Sequence, residues 1–175
     1  MFQMYGVVPP MLTQVEAGTL EACMSISNGQ FATSYYPDLG FLDIPYLFES
    51  ADEAYELLNP EKDFFKDLQK NIAEKSGIRP LVFFNEGLRH ITNSKRPITK
   101  PEDLKGYKIR VQDSDTYIQM IDLMGGVGIA MGQSEVYAAV QQHVIEGGEN
   151  SEVVYNNFKH YEIAPYFSYT NHLVM

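Results

Sequence analysis

Two arginines and an asparagine are the residues of this sequence whose types and positions fit ligand binding best. Arg110 lies near the end of an alternating polar and apolar segment, 108–111, while Arg89 and Asn150 each follow a short glycine-containing stretch. The flat guanidinium group of arginine matches a carboxylate, and ligand sites in open α/β sheets lie beyond the carboxyl ends of strands. We therefore expect these side chains to bind an organic acid. The competing interpretations are an internal ion pair for Arg110 and a helix N-cap for Asn150.

Residue patterns for catalysis or for cofactor binding are missing from the sequence. It contains no nucleophile elbow, no phosphate-binding loop and no His/Cys spacing typical of a metal site. The glycine-rich run 125–128 enters a predicted strand instead of opening a helix, which argues against a nucleotide. Glu146 and Glu149 could form an acid–base pair, but solvation at the surface is the simpler interpretation. The sequence thus predicts no enzyme, no metal and no cofactor.

Composition and charge restrict the partners of the chain. Its 175 residues are 45% hydrophobic, and 13 basic against 23 acidic residues give a net charge of −10. Such a chain repels nucleic acid, so we expect no nucleic-acid partner. The single Cys23 is interpreted as a small core residue. No apolar run reaches the roughly 18 residues of a membrane span, and we expect the sequence as given to carry no signal peptide.

Alternating strand and helix patterns predict an α/β protein with a mostly parallel sheet. The predicted helices are 11–17, 50–58, 59–77, 115–123, 134–143 and 152–160. The predicted strands are 21–26, 80–84, 108–111, 127–130, 144–146 and 167–175, with a polar extended segment at 87–93. Because the link from Phe84 to Lys108 is short, we expect two partial lobes, 1–95 and 108–175, joined by a hinge at 96–107.

Several sequence segments resemble one protein family in the same order along the chain. The runs GLRHITNSKRPI (87–98) and PEDLKGYKIRV (101–111) are similar to the solute-binding proteins of TRAP transporters, the DctP family. So are SEVYAAVQQ (134–142), EGGEN (146–150), PYLF (45–48) and TNH (170–172). The resemblance covers nearly the whole chain from about Leu12.

The resemblance implies a two-lobed fold like that of type II periplasmic binding proteins, located in the periplasm or otherwise outside the cytoplasm. Such proteins bind a small carboxylate and deliver it to the membrane subunits of a TRAP transporter. Arg110 would be the main carboxylate clamp, with Asn150 as its amide partner and Arg89 as a second contact. Asn28 would face the ligand from the other lobe, in a turn after the first strand, and Tyr137 would lie beside the cleft.

The sequence also departs from the family pattern. Gln133 stands where many relatives carry a bulky apolar or aromatic residue, which changes the expected shape of the pocket. The chain resembles the middle portion of a family member, so we expect a fold that is incomplete at both ends and self-association through uncovered apolar surface.

Three alternatives stay open at this point. They are an intracellular ligand-sensing domain of the same architecture, a small α/β enzyme that anchors its substrate on Arg110, and a truncated fragment without function. The sequence does not distinguish among C4-dicarboxylates, sugar acids, 2-oxo acids and aromatic acids as the ligand.

Overall fold

Five strands form one mixed sheet in the part of the chain that the structure describes. This structure is a computed structural model, and it describes residues 8–24, 28–84 and 87–174, without the side chains of 8–10 and 28–30. The strand order is β3-β2-β4-β1-β5. The strands are β1 Leu88–Asn93, β2 Lys108–Val111, β3 Val127–Ala130, β4 Gly147–Asn150 and β5 Tyr166–Val174.

The sheet combines a parallel half with an antiparallel half. Strand β2 pairs in parallel with both β3 and β4. Strand β1 pairs antiparallel with both β4 and β5. The carboxyl ends of β2, β3 and β4 therefore lie at the same edge of the sheet.

Seven α-helices surround the sheet or precede it among the described residues. They are α1 Val8–Glu16, α2 Asn28–Ser34, α3 Ala51–Leu57, α4 Asp63–Ser76, α5 Asp115–Leu123, α6 Val136–Gln141 and α7 Glu152–Asn157. Short 3-10 helices occur at Pro37–Asp43, Pro101–Leu104, Gln133–Glu135 and His160–Glu162.

Local sequence signals explain the limits of several helices. The hydroxyl of Ser50 accepts a hydrogen bond from the amide of Glu53 at the start of α3 (3.2 Å). This is the N-cap that the sequence predicts. Helix α4 ends at Gly77, whose positive φ of 72° suits a residue without a Cβ. Its apolar face buries Phe65, Leu68 and Ile72 against the rest of the chain.

Two glycines of the run 125–128 allow α5 to pack closely on the sheet. A Cβ at Gly128 would lie 2.8 Å from backbone atoms of Ile118 in α5, and a Cβ at Gly126 would lie 2.9 Å from the side chain of Ile121. The glycine run thus has a packing role in the β2–α5–β3 unit.

Buried apolar residues divide into an N-terminal cluster and two clusters along the sheet. The N-terminal cluster extends from Leu12 to Ile78 and includes α4. A second cluster lies beneath β1, β2 and α5, and a third gathers around α6. The sheet therefore has its own core, separate from that of the first 78 residues.

The structure corrects several predicted elements. Residues 80–84 form no strand, and Leu81 and Val82 are exposed. The strand predicted at 144–146 lies instead at Gly147–Asn150, and α4 begins at Asp63 instead of Pro60. Residues 22–24 of the predicted strand 21–26 are irregular, whereas 25 and 26 lie outside the described residues. The sheet is mixed because β1 enters between β4 and β5, where its antiparallel pairs replace the expected parallel ones.

Strand β1 pairs across the boundary that the sequence predicts between the two lobes. The prediction placed residues 88–93 in the first lobe, 1–95, but β1 pairs with β4 and β5 of the predicted second lobe. Strand β1 therefore belongs to the same sheet as Arg110.

None of the helices within the described ranges is both long enough and apolar enough to cross a bilayer.

Candidate functional site

Three polar side chains meet at the sheet edge formed by the carboxyl ends of the parallel strands. Arg110 lies on β2, Asn150 ends β4, and Gln133 begins the 3-10 helix that follows β3. The amide oxygen of Gln133 accepts one hydrogen bond from Nη1 of Arg110 and one from Nδ2 of Asn150, both 3.0 Å long. This edge is where ligands of open α/β sheets are expected. The predicted pair of Arg110 and Asn150 is thus brought together.

Arg110 is buried without an anionic partner. Its Nε donates to the carbonyl oxygen of Met131 (2.8 Å), so both acceptors of its guanidinium are uncharged. Across the ranges that the structure describes, no carboxylate forms an ion pair with Arg110. Burial lowers the pKa of Arg110 to about 10, which still leaves it protonated at neutral pH. Glu149 and Glu135 attract Arg110 electrostatically but do not form an ion pair with it. A buried cation without a directly paired anion is costly, so the geometry favours an anion supplied from outside.

The amide of Asn150 has a role different from the N-cap alternative. Its oxygen accepts from the backbone N–H of Ser151 (2.9 Å), which directs the amide nitrogen toward Gln133. The cap of α7 is Ser151, whose hydroxyl accepts from the amide of Val154. Asn150 therefore presents a donor beside the guanidinium of Arg110, as a carboxylate site requires.

The cavity next to these groups is small and its histidine is uncharged. Its volume is about 10 Å³, and its polar lining includes Arg110, Gln133, Asn150 and His160. Burial, together with the nearby positive charge of Arg110, lowers the pKa of His160 to about 4. His160 is therefore neutral at pH 7 and leaves Arg110 as the cation of the site.

Arg89 lies behind the site in an internal ion pair. It is fully buried and donates to both carboxylate oxygens and to the backbone oxygen of Glu149. Burial alone would lower the pKa of Arg89, but the charge and hydrogen bonds of Glu149 outweigh it and raise that pKa. Burial by itself would raise the pKa of Glu149, but Arg89 and His172 hold that pKa at about 2. The guanidinium of Arg89 is thus committed to a protein carboxylate and is absent from the cavity lining.

The Arg89–Glu149 pair belongs to a larger buried polar network. Nε2 of His172 lies 3.5 Å from Oε2 of Glu149. Arg89 stacks over the ring of Tyr117, whose hydroxyl donates to Asp43 (3.0 Å). The network connects the 3-10 helix Pro37–Asp43 with the sheet, and so joins the N-terminal core to the strand that ends in Asn150.

Two further predicted site residues lie elsewhere. The hydroxyl of Tyr137 donates to Glu162 (2.7 Å) at the surface, and Tyr137 does not line the cavity beside Arg110. The backbone of Asn28 begins helix α2, not a turn after a strand, and its side chain lies outside the described residues.

Sequence reasoning misassigned Glu149 and missed His160 in this region. Glu149 was interpreted as a surface carboxylate, but it is fully buried because Arg89 neutralises it. His160, one of four histidines in the sequence, was not predicted as a site residue, although it lines the cavity. The available signal for the position of Glu149 was the alternation of side chains along β4, which directs Glu149 and Asn150 to opposite faces of the sheet.

No group of three or more potential metal ligands occurs within the described part of the chain.

A second, larger cavity of about 730 Å³ lies in the N-terminal core, where Leu12, Phe31 and Phe83 are among its mostly apolar lining residues. Its lining offers no buried charge to a carboxylate.

Comparison with known proteins places this geometry in a family. Residues 5–175 match the family model DctP, described as bacterial extracellular solute-binding protein, family 7. A solute-binding protein of Chromohalobacter salexigens is 35% identical over 171 residues, which cover 97% of this chain and 49% of that protein. The 2,3-diketo-L-gulonate-binding periplasmic protein of Escherichia coli is 32% identical over 95% of this chain and 49% of its own length.

Solved structures agree with the sequence comparison. A TRAP periplasmic solute-binding protein from Chromohalobacter salexigens, with bound D-glucuronate, superposes with a TM-score of 0.87 at 33% identity, over 95% of this chain and 54% of that one. A second from Sulfitobacter sp., with bound β-D-galacturonate, gives a TM-score of 0.86 at 32% identity, over 95% and 54%. The chain therefore spans about half the length of the relatives that it matches. Within that span its mixed α/β fold is the fold of these proteins.

Proposed function

The chain belongs to the DctP family of bacterial extracellular solute-binding proteins, and we propose that it binds a small organic acid for a TRAP-type membrane transporter. In this proposal the protein works in the periplasm or otherwise outside the cytoplasm, captures the acid and passes it to the membrane subunits. No catalytic step is assigned to it.

One observation carries the proposal. Arg110 is a buried cation whose donors meet only uncharged oxygen atoms, and it lies at the ligand edge of the sheet beside the amide of Asn150. An arginine held in this way by the fold supplies the positive charge and one of the donors that a ligand carboxylate needs. The internal ion pair predicted as the alternative belongs to Arg89 instead.

The acid that we propose is a sugar acid of the uronate type. This choice rests on the relatives, since the two solved structures described above contain D-glucuronate and β-D-galacturonate. Both compounds present a carboxylate next to several hydroxyl groups, which suits a site that combines Arg110 with neutral hydrogen-bonding side chains.

We also propose two lobes, with the division moved toward the N-terminus of the predicted hinge. The buried residues of the N-terminal core end at Ile78, Phe83 packs against them, and the sheet begins at Leu88. A division between Phe83 and Leu88 keeps β1 with its partners, which a hinge at 96–107 does not.

The test of the proposed function is a titration calorimetry series with D-glucuronate and D-galacturonate. Arg110→Lys keeps the charge but removes the flat pair of donors, so binding should weaken by roughly ten- to a hundredfold. Asn150→Ala removes a single amide donor and should weaken binding by about fivefold. Arg79→Lys, which changes an exposed arginine that donates to Gln69 and does not line the cavity beside Arg110, is the matched control. Unchanged affinity in Arg110→Lys, with the fold intact by circular dichroism, would overturn the proposal.

A further inference from the structure

The carboxylate clamp is occupied by a side chain of the protein itself. The amide oxygen of Gln133 accepts from Arg110 and from Asn150, which are the two groups that the proposed function assigns to the ligand. We propose that Gln133 is an internal competitor of the ligand, whose amide oxygen takes the position of one carboxylate oxygen and must leave before an acid can bind. This inference rests on the proposed function, and it concerns a residue to which that function assigns no role.

The size of the cavity supports the competition. With Gln133 in place the cavity measures about 10 Å³, which is enough for about one water molecule and too small for a carboxylate with its carbon chain. Gln133 is itself part of the lining, so moving its side chain enlarges the space at the point where the donors of Arg110 and Asn150 converge.

The position of Gln133 allows such a movement. The residue is half-buried and begins a 3-10 helix of three residues between the exposed Gly132 and the exposed Ser134. Its oxygen is held firmly by two bonds of 3.0 Å, whereas its nitrogen has only a long contact of 3.5 Å with Nε2 of His160. The clamp therefore recognises the acceptor end of the amide, which is the end that resembles a carboxylate.

The negative charge of the ligand carboxylate decides whether it replaces the amide of Gln133. A hydrogen bond between arginine and a carboxylate is stronger than one between arginine and a neutral amide, so the acid displaces Gln133. The measured affinity is nevertheless reduced, because only the fraction of molecules with an open clamp can bind. Gln133 would then set how tightly the site holds any acid.

Substitutions at Gln133 with opposite effects test the proposal in the full chain. Gln133→Met has a similar length but no strong acceptor, and should tighten binding of D-glucuronate by about tenfold or more. Gln133→Glu places a permanent carboxylate in the clamp, and should weaken binding by at least about tenfold while raising the melting temperature without ligand. Gln141→Met and Gln141→Glu, at the exposed end of α6, are the matched controls and should change neither quantity.

The outcomes separate this inference from the proposed function. Weaker binding in Gln133→Met, with the same result in Gln133→Ala, would mean that Gln133 contacts the ligand directly and would overturn the competition. If the parent and every variant failed to bind acids, the proposed function would fail. The melting temperatures without ligand would then still decide the competition, because an internal carboxylate should stabilise Gln133→Glu relative to Gln133→Met, and equal values would refute it.

Discussion

Asp43 links the N-terminal part of the chain to α5 by accepting a hydrogen bond from Tyr117, and its carboxyl group makes stability depend on pH. Burial raises the pKa of its carboxyl group to about 6, and the hydrogen bond from Tyr117 only partly opposes that rise. Because the folded state holds this proton more tightly than the unfolded state, the contribution of Asp43 to stability is complete below about pH 4 and is lost as the pH rises through about 6.

Asp43→Asn should therefore remove a pH dependence without removing the acceptor for Tyr117. Between about pH 4 and pH 7 the parent should lose about 2–3 kcal/mol of unfolding free energy relative to Asp43→Asn. Urea unfolding at a series of pH values measures this difference. Asp63→Asn, on the exposed side of α4, is the control and should follow the parent at every pH. Parallel curves for the parent and Asp43→Asn would show that Asp43 does not titrate in this range.

Replacement of Glu149 should strongly destabilise the folded protein. Glu149→Gln leaves the fully buried Arg89 without its counter-charge, and should reduce the free energy of unfolding by about 3–5 kcal/mol. The pKa of Glu149, about 2, lies below its ordinary value. The stability from this group is thus present above about pH 4.5 and is lost as the pH falls toward 2.

Urea unfolding at neutral pH measures the effect of Glu149→Gln. The control is Asp38→Asn, which breaks the exposed ion pair of Asp38 with Lys75 (2.9 Å) and should change stability very little. Equal stability of the two variants would contradict the assignment of Glu149 as the counter-charge of Arg89.

The sequence predicted the proximity of Arg110 and Asn150 better than it predicted the ion pair behind them, and the reason is distance along the chain. Arg110 and Asn150 each lie at the carboxyl end of a strand, so their shared edge follows from the α/β pattern. The partner of Arg89 is a carboxylate 60 residues away, on a strand that pairs with its own. No local pattern distinguishes an arginine that binds a ligand from one that is paired inside the protein.

At the scale of elements, β4 and β1 approach each other very closely at Gly147. A Cβ at Gly147 would overlap the carbonyl oxygen of Thr92 on β1. Gly147→Ala should therefore force β1 and β4 apart and reduce the free energy of unfolding by at least about 3 kcal/mol. Thermal unfolding followed by circular dichroism measures the loss.

The adjacent glycine provides the control for this prediction. A Cβ at Gly148 would lie 3.6 Å from the nearest atoms of Arg110, an ordinary contact distance. Gly148→Ala should keep most of the stability, so a similar loss in both variants would mean that the close approach at Gly147 is not responsible.

Helices were easier to predict than strands because their ends carry chemical signals. Ser50 and Gly77 fixed the start of α3 and the end of α4 within the sequence itself. Strand β4 consists of Gly147, Gly148, Glu149 and Asn150, which all have low strand propensity, so only the neighbouring strands make this segment extended. The apolar run 80–84 has the opposite problem, since its residues favour a strand but pair with none in the described structure.

At the scale of the whole molecule, apolar surface on residues 81–84 supports the expected self-association, which stays a prediction. Leu81 is 69% exposed and Val82 is 55% exposed, next to the large apolar cavity of the N-terminal core. The double substitution Leu81→Lys and Val82→Lys should lower the binding of a hydrophobic dye and the apparent mass by light scattering at high concentration. Val153→Lys, which changes a single exposed valine on α7, is the control. A monomeric parent without dye binding would contradict the prediction.

The burial of Arg110 has a consequence for how an acid would arrive. The protein carries a net charge of −10, and Arg110, the cation proposed to bind the acid, is only 5% exposed. An approaching anion would therefore experience repulsion from the molecule as a whole before it comes near the guanidinium. Added salt screens that long-range repulsion over about 10 Å at 0.1 M, while a buried contact is screened much less. Encounter would thus become faster as ionic strength rises, the reverse of electrostatic steering, and selectivity would depend on the fit inside the site.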